Sequence, residues 1–398
     1  MSAMLCATAC IALSSSRPTT PTKNNQFSVV INKQEEFDAD ATYVIGGDIS
    51  TSDISIGLFK VVDNKPELLI KTHIDIKAEI GMKAATTNVP DFTKYFEKVY
   101  DFFKSKCDGL TVSVACLAAP GVTTAAKNYI KHHDIWAVDG REISEKTDIA
   151  TVFVINDFEI TGFGIEALGK TNIVTLHEGQ PRENGTKLVL GAGNGFGSVL
   201  MLWNEFLNSY NPSPISYSYV DFFPYNEQEV KLMQYLQKYT GSRSCGKVLG
   251  GHGGVLRIYA FLQGWTDDEG EEKFKEFSKT TRYIDLFVQR KNNPKYQEAV
   301  DMYMKFYARC VRNAEYAQQP HRGVYITNTI ADEFPELFRT SEFMQEVFNT
   351  NNGFLLNYVK TIPFYLVKKH DGLRMQGAAL YAVVNAPESL EPDREACN

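Results

Sequence analysis

One pattern occurs twice in this chain and limits what it can become. Tyr43-Val44-Ile45-Gly46-Gly47-Asp48-Ile49 is an apolar strand that runs into a polar turn, Ser50-Thr51-Ser52-Asp53, and Ile54 to Val62 continues as a second strand. Leu188-Val189-Leu190 leads into Gly191-Ala192-Gly193-Asn194-Gly195-Phe196-Gly197, and Ser198 to Leu202 leaves as another strand. Apolar and β-branched runs bounded by Gly, Ser, Asp and Asn read as strands and hairpins. Using strand, turn and strand once in each half predicts two related α/β units. Between them stands Thr151-Val152-Phe153-Val154-Ile155-Asn156-Asp157-Phe158, which reads as a buried strand whose last residues leave the sheet and open a helix.

The remaining elements fill in around these three stretches. Leu68 to Asp75 is a third strand after the turn Asp63-Asn64-Lys65-Pro66, which makes an antiparallel meander. Phe92, Tyr95, Phe96, Val99, Tyr100 and Phe103 recur at helical spacing, so Phe92 to Lys106 is expected as a helix. Thr111 to Ala118 reads as a strand closed by Ala119-Pro120-Gly121, Glu271 to Gln318 as one helical region, and Gly372 to Val384 as a final helix. The predicted division is a small α/β domain over 41–157, a large one over 158–371, and a return of helix 372–384 to the small one. Residues 1–40 read as an extension and 385–398 as a solvated tail.

With 398 residues, 43% hydrophobic and 22% charged, the chain is an ordinary globular one. A net charge of -7 and no basic helix-turn-helix before the first strand argue against a nucleic-acid partner. No apolar run is long enough to span a bilayer, so no membrane partner is expected. Seven scattered cysteines without a Cys-x-x-Cys favour reduced thiols and give no metal site. Before Glu35 the chain has no acidic residue, and its apolar run Met4 to Leu13 lacks a preceding basic region. Residues 1–40 therefore read as a disordered extension or as an organelle transit peptide, on a chain otherwise expected in the cytoplasm.

The chemistry-bearing residues follow from the turns. Open α/β sheets bind ligands outside the carboxyl ends of their strands, where Asp157 falls. There it could take a proton from a substrate hydroxyl, or serve only as a helix N-cap. Gly191, Gly193, Gly195 and Gly197 allow backbone N–H groups to surround an anion, or a plain hairpin to form. No Lys-Ser or Lys-Thr follows, and a strand rather than a helix comes next, so neither common nucleotide fingerprint applies. Asp48 offers a carboxylate suited to Mg²⁺, with Ser52 in the same turn.

In order and spacing the chain resembles the bacterial-type glucokinases, over roughly Tyr43 to Val384. The resemblance is carried by Gly47-Asp48-Ile49, Ala119-Pro120-Gly121 with Trp136, Ile155-Asn156-Asp157-Phe158 and Gly191 to Gly197. Val220-Asp221-Phe222-Phe223-Pro224, Val248-Leu249-Gly250-Gly251, and Gly372-Leu373 with Gly377-Ala378-Ala379 continue it. It implies a two-domain actin-like ATPase fold, the sugar kinase/ribonuclease H-like duplication. It also implies ATP-dependent phosphorylation of a hexose, at the 6-hydroxyl of glucose. By position, Asp157 is the base and Asn156 a sugar ligand. Gly191, Gly193, Asn194, Gly195, Gly197 and Gly251 lie at the nucleotide, with Asp48 and Ser52 at the first phosphate turn and Asp48 near Mg²⁺.

The chain also departs from the family pattern. Ser50 and Thr51 replace glycines, Ser52 replaces Thr, Asp53 replaces Asn and Ser55 replaces Arg. Ser216 and Gly246 stand where the family has carboxylates that accept sugar hydroxyls. Tyr219 replaces a His, His133 an Asn, and Asn328-Thr329 a Gly-Gly pair. Each lost hydrogen bond to a charged acceptor costs about 1.5–3 kcal/mol. Two readings follow: a hexose kinase in which His133 and Tyr219 supply new sugar contacts, or a catalytically silent homologue serving as a structural or regulatory subunit. A homodimer or a larger assembly is compatible with both.

Overall fold

The computed structural model describes residues 22–24, 27–31, 37–50, 53–75, 92–132, 136–168, 172–251, 253–350, 352–368 and 372–386. Its first nine strands are β1 (Thr22–Asn24), β2 (Phe27–Ile31), β3 (Tyr43–Ile49), β4 (Asp53–Val62), β5 (Lys65–Asp75), β6 (Val114–Ala119), β7 (Tyr129–His132), β8 (Trp136–Asp139) and β9 (Thr151–Asn156). Seven of them form a sheet in the order β1-β2-β5-β4-β3-β6-β9, and β7 and β8 make a separate ribbon. The expected meander β3-β4-β5 is antiparallel, whereas β6 runs parallel to both β3 and β9. Register then does the positioning. Asp48 lies opposite Ala118, and Ala119 opposite Asn156. Asp48 and Asp157 therefore emerge at the same end of the sheet, from strands separated only by β6, a span of about 10 Å.

The second sheet contains β10 (Ile173–His177), β11 (Lys187–Ala192), β12 (Phe196–Asn204), β13 (Ser209–Pro214), β14 (Gly323–Thr327) and β15 (Phe364–Val367), in the order β10-β15-β14-β11-β12-β13. The helices are α1 (Phe92–Lys106), α2 (Gly140–Thr147), α3 (Asp157–Ala167), α4 (Glu227–Thr240), α5 (Cys245–Leu249), α6 (Gly254–Leu262), α7 (Asp268–Thr280), α8 (Tyr283–Gln289), α9 (Pro294–Gln318), α10 (Thr329–Glu333), α11 (Pro335–Phe338), α12 (Ser341–Val347), α13 (Gly353–Val359) and α14 (Leu373–Val384).

Side-chain alternation along β3 divides the first unit into two cores. Tyr43, Ile45 and Ile49 face α1 and α2, whereas Val44 faces α3 and α14. Helix α14 is held between sheet and helix by glycines. A Cβ on Gly46 would lie 2.3 Å from the Met375 carbonyl, one on Gly164 2.5 Å from that of Leu373, and one on Gly377 2.4 Å from that of Ile160. The final helix thus packs against the first sheet, although its chain arrives from the second.

Three expectations need correction. The stretch before residue 41 is not wholly an extension, because β2 pairs antiparallel with β5 and buries Val29. Its β-branched run supplies a strand between β1 and β5; within the proposed targeting segment 1–40, residues 1–21 lie outside the described residues, as does the tail from 387. The helical region Glu271 to Gln318 is three helices. Arg282 opens α8 with its backbone N–H bonded to Asp285, and Asn293 caps α9, whose first residue is Pro294. Strand β6 begins at Val114, three residues later than the apolar pattern suggested.

Candidate active site

Asn156 and Asp157 divide two tasks between them. Asn156 is the N-cap of α3: its Oδ1 accepts from Phe158 N at 2.9 Å and Glu159 N at 3.3 Å, and its Nδ2 donates to the Gly121 carbonyl at 2.8 Å. Those bonds use both acceptor positions and one of two donor hydrogens, which leaves Asn156 a single donor hydrogen beyond them. Asp157 is the first helical residue and is relieved of the cap role. Its carboxylate sits at the positive end of α3.

The group facing both carboxylates is Arg374, which the sequence reading did not single out. Its Nε lies 3.1 Å from both oxygens of Asp48 and donates its hydrogen bond to Oδ2, while Nη1 donates to Asp157 Oδ2 at 3.4 Å. Gly372, at φ +93°, turns the chain into α14 and sets Arg374 in its first turn. Burial pushes the Asp48 carboxyl up, Arg374 draws it back, and Asp157 and Asp53 raise it further. The Arg374 guanidinium is raised above its ordinary value, chiefly by Asp48 and also by Asp157. One signal could have found it: Arg374 is the only charged residue in Leu373–Val384.

The glycine-rich hairpin lies beside this cluster. Gly191 pairs with Gly197, and a Cβ on Gly197 would meet the Phe158 ring at 2.1 Å, one residue from Asp157. The missing side chains of Gly191, Gly193 and Gly251 are also accounted for by packing. A Cβ there would meet the Thr327 carbonyl at 2.2 Å, Thr329 Oγ1 at 2.8 Å and the Gly193 carbonyl at 2.6 Å respectively. The N–H groups of Gly193 and Gly251 are spent on Gly195 and Gly193 carbonyls. Gly195 differs: a Cβ on it would have nothing within 4 Å, and the neighbouring Asn194 is exposed. The open part of this turn is therefore Asn194-Gly195. Asn328 takes φ +77° there, a backbone region suited to glycine, and packs its side chain on Gly191 and Gly193.

Tyr219 ends a short 3₁₀ turn, Tyr217–Tyr219, and is 82% exposed. Ser52 and His133 lie outside the described residues, whereas Ser50 closes its hairpin with Oγ bonded to the carbonyl and the N–H of Asp53. Gly246 leaves no room for the family's carboxylate, since a Cβ would lie 2.8 Å from the Ser218 carbonyl.

Asp48 suits a hard cation in one respect. Its Oδ1 is shielded from solvent and has no hydrogen-bond partner. No group of three or more His, Cys, Asp or Glu able to hold a metal occurs among the described residues. No helix among the described residues is long and apolar enough to cross a membrane.

Comparison with known proteins bears on family and fold. The Glucokinase family matches residues 71–384. The glucokinase of Nostoc punctiforme is 26% identical over 287 residues, covering 67% of this chain and 81% of the relative. That of Synechocystis is 23% identical over 343 residues, covering 81% and 93%. Among solved structures, Balamuthia mandrillaris glucokinase in complex with glucose superposes with a TM-score of 0.68 at 18% identity, over 87% of this chain and 94% of that one. A ROK hexokinase from Thermus thermophilus gives 0.58 at 15% identity, over 86% and 98%. The two-sheet architecture is thus the actin-like ATPase fold of the sugar kinases, and the chain belongs to the glucokinase family.

Proposed function

We propose that this protein transfers the γ-phosphoryl group of ATP to a hexose, with the 6-hydroxyl of glucose as acceptor. One observation carries the reading: Asp48 and Asp157, 109 positions apart, meet around a single guanidinium, next to the Phe158 ring that packs against Gly197 of the glycine hairpin. In the reaction the sugar hydroxyl gives its proton to an oxygen of Asp157, its oxygen bonds to the γ-phosphorus, and the bridging bond to ADP breaks. Asn156 fixes the first turn of α3, and so the direction of Asp157, and keeps one donor for a sugar hydroxyl. The open backbone at Asn194-Gly195 accepts phosphate oxygens. Asp48 would hold Mg²⁺, which supplies positive charge to the phosphates. Such transfer needs positioning and charge more than covalent help from the protein.

The test is a coupled ADP-release assay over a panel of hexoses. Asp157→Ala should lower kcat about 10²–10⁴-fold, the usual share of a general base. Turnover unchanged by that substitution removes Asp157 as the base. The silent-homologue reading is favoured by Gly246, whose surroundings exclude the side chain a family carboxylate would need. It predicts no ADP release with any hexose and no rise in melting temperature with ATP–Mg²⁺ or sugar, since only a ligand of the folded state raises it.

A further inference from the structure

We propose that Arg374 is a resident counter-ion of this site and competes with a divalent cation for Asp48. The inference rests on the kinase reading in one respect, that Asp48 is the carboxylate a cation would use. Asp48 ends β3, Asp157 begins α3, and Arg374 belongs to the first turn of α14, so three separate elements meet at one cation. Asp53 acts on the same pair from the far side of the hairpin.

Charge repulsion disfavours two cations on this carboxylate at once. The guanidinium Nε stands 3.1 Å from both Asp48 oxygens. A dication on the same carboxylate would lie within a few ångströms of that positive charge, where repulsion between unscreened charges is strong. Loading the site therefore moves the guanidinium off Asp48. The hydrogen bond to Asp157, longer at 3.4 Å, gives it a second anchor. The guanidinium thereby balances one of the two carboxylate charges in the free chain without metal, and the affinity for metal is lowered by the same contact.

Mn²⁺ binding to the full chain, followed by electron paramagnetic resonance without nucleotide, tests this. Arg374→Met keeps the stem and removes the charge, and should tighten Mn²⁺ binding about tenfold or more. Arg374→Lys keeps a charge and should stay much nearer the unmodified protein. Adding Asp48→Asn to Arg374→Met should abolish the gain. Unchanged Mn²⁺ affinity in Arg374→Met, an equal gain in Arg374→Lys, or a gain that survives Asp48→Asn would each overturn the proposal. Should Arg374→Met not fold, the unmodified chain answers by NMR. Mg²⁺ must shift the Arg374 Nε–H resonance, and a resonance that stays put while Mn²⁺ binding shows the site loaded overturns it. None of these readouts needs turnover, so a chain that releases no ADP still tests Arg374. An active kinase with unaltered Mn²⁺ binding would sink this inference alone.

Discussion

A Cβ built on Gly197 would stand 2.1 Å from the ring of Phe158. That contact ties the glycine-rich hairpin to the helix whose first residue is Asp157. Gly197→Ala must push a buried ring aside, and overpacking of this kind costs about 1–3 kcal/mol. Urea denaturation should register that loss. Because the displaced ring neighbours the proposed base, kcat should fall further than the loss of folded protein explains. A variant with normal stability and normal kcat would show that the two turns are not coupled.

Asn156 holds three hydrogen bonds within its own neighbourhood. Asn156→Ala removes the cap and the tie to Gly121 together. Loss of an N-cap alone costs about 0.5–2 kcal/mol. Asn156→Asp keeps the capping acceptor but turns a carboxylate oxygen toward the Gly121 carbonyl, so it should recover the cap and not the tie to Gly121. If both variants unfold at the same urea concentration as the unmodified protein, the cap is not contributing.

Glu315 gives the fold a pH dependence of its own. It is fully buried in α9 and neither carboxylate oxygen has a hydrogen-bond partner. Burial pushes its carboxyl up to about 8 from 4.5, with Arg312 pulling weakly against it. A carboxyl raised on folding binds its proton more tightly in the native state, so its contribution is fully present below pH 4.5 and is lost as pH rises toward 8. The loss is on the order of a few kcal/mol. Glu315→Gln cannot ionise and should be more stable relative to the unmodified protein at pH 8 than at pH 5. Parallel unfolding curves at the two pH values would contradict this.

Much of the fold was legible because strands and turns are local. The runs Tyr43–Ile49 and Thr151–Asn156 are strands at the expected places, and Gly191–Gly197 is a hairpin. Errors arose where local pattern is ambiguous. The single helical region read over 271–318 holds two breaks, set by Arg282 and Asn293-Pro294. The β-branched run 27–31 is too short to announce itself, because its strand exists only through its partners β1 and β5.

The candidate site divides the same way. Asp157 at the end of a buried strand, and glycines where backbone must approach backbone, are written in short stretches of residues, since strand, cap and turn preferences act over a few positions. No short stretch announces that Arg374 closes on Asp48, 326 positions earlier. That pairing needs α14 to return to the first sheet, and the return depends on Gly46, Gly164 and Gly377 fitting together in three dimensions. Which charges meet was decided by packing between distant elements, because Coulomb attraction depends on distance in space and not on separation along the chain.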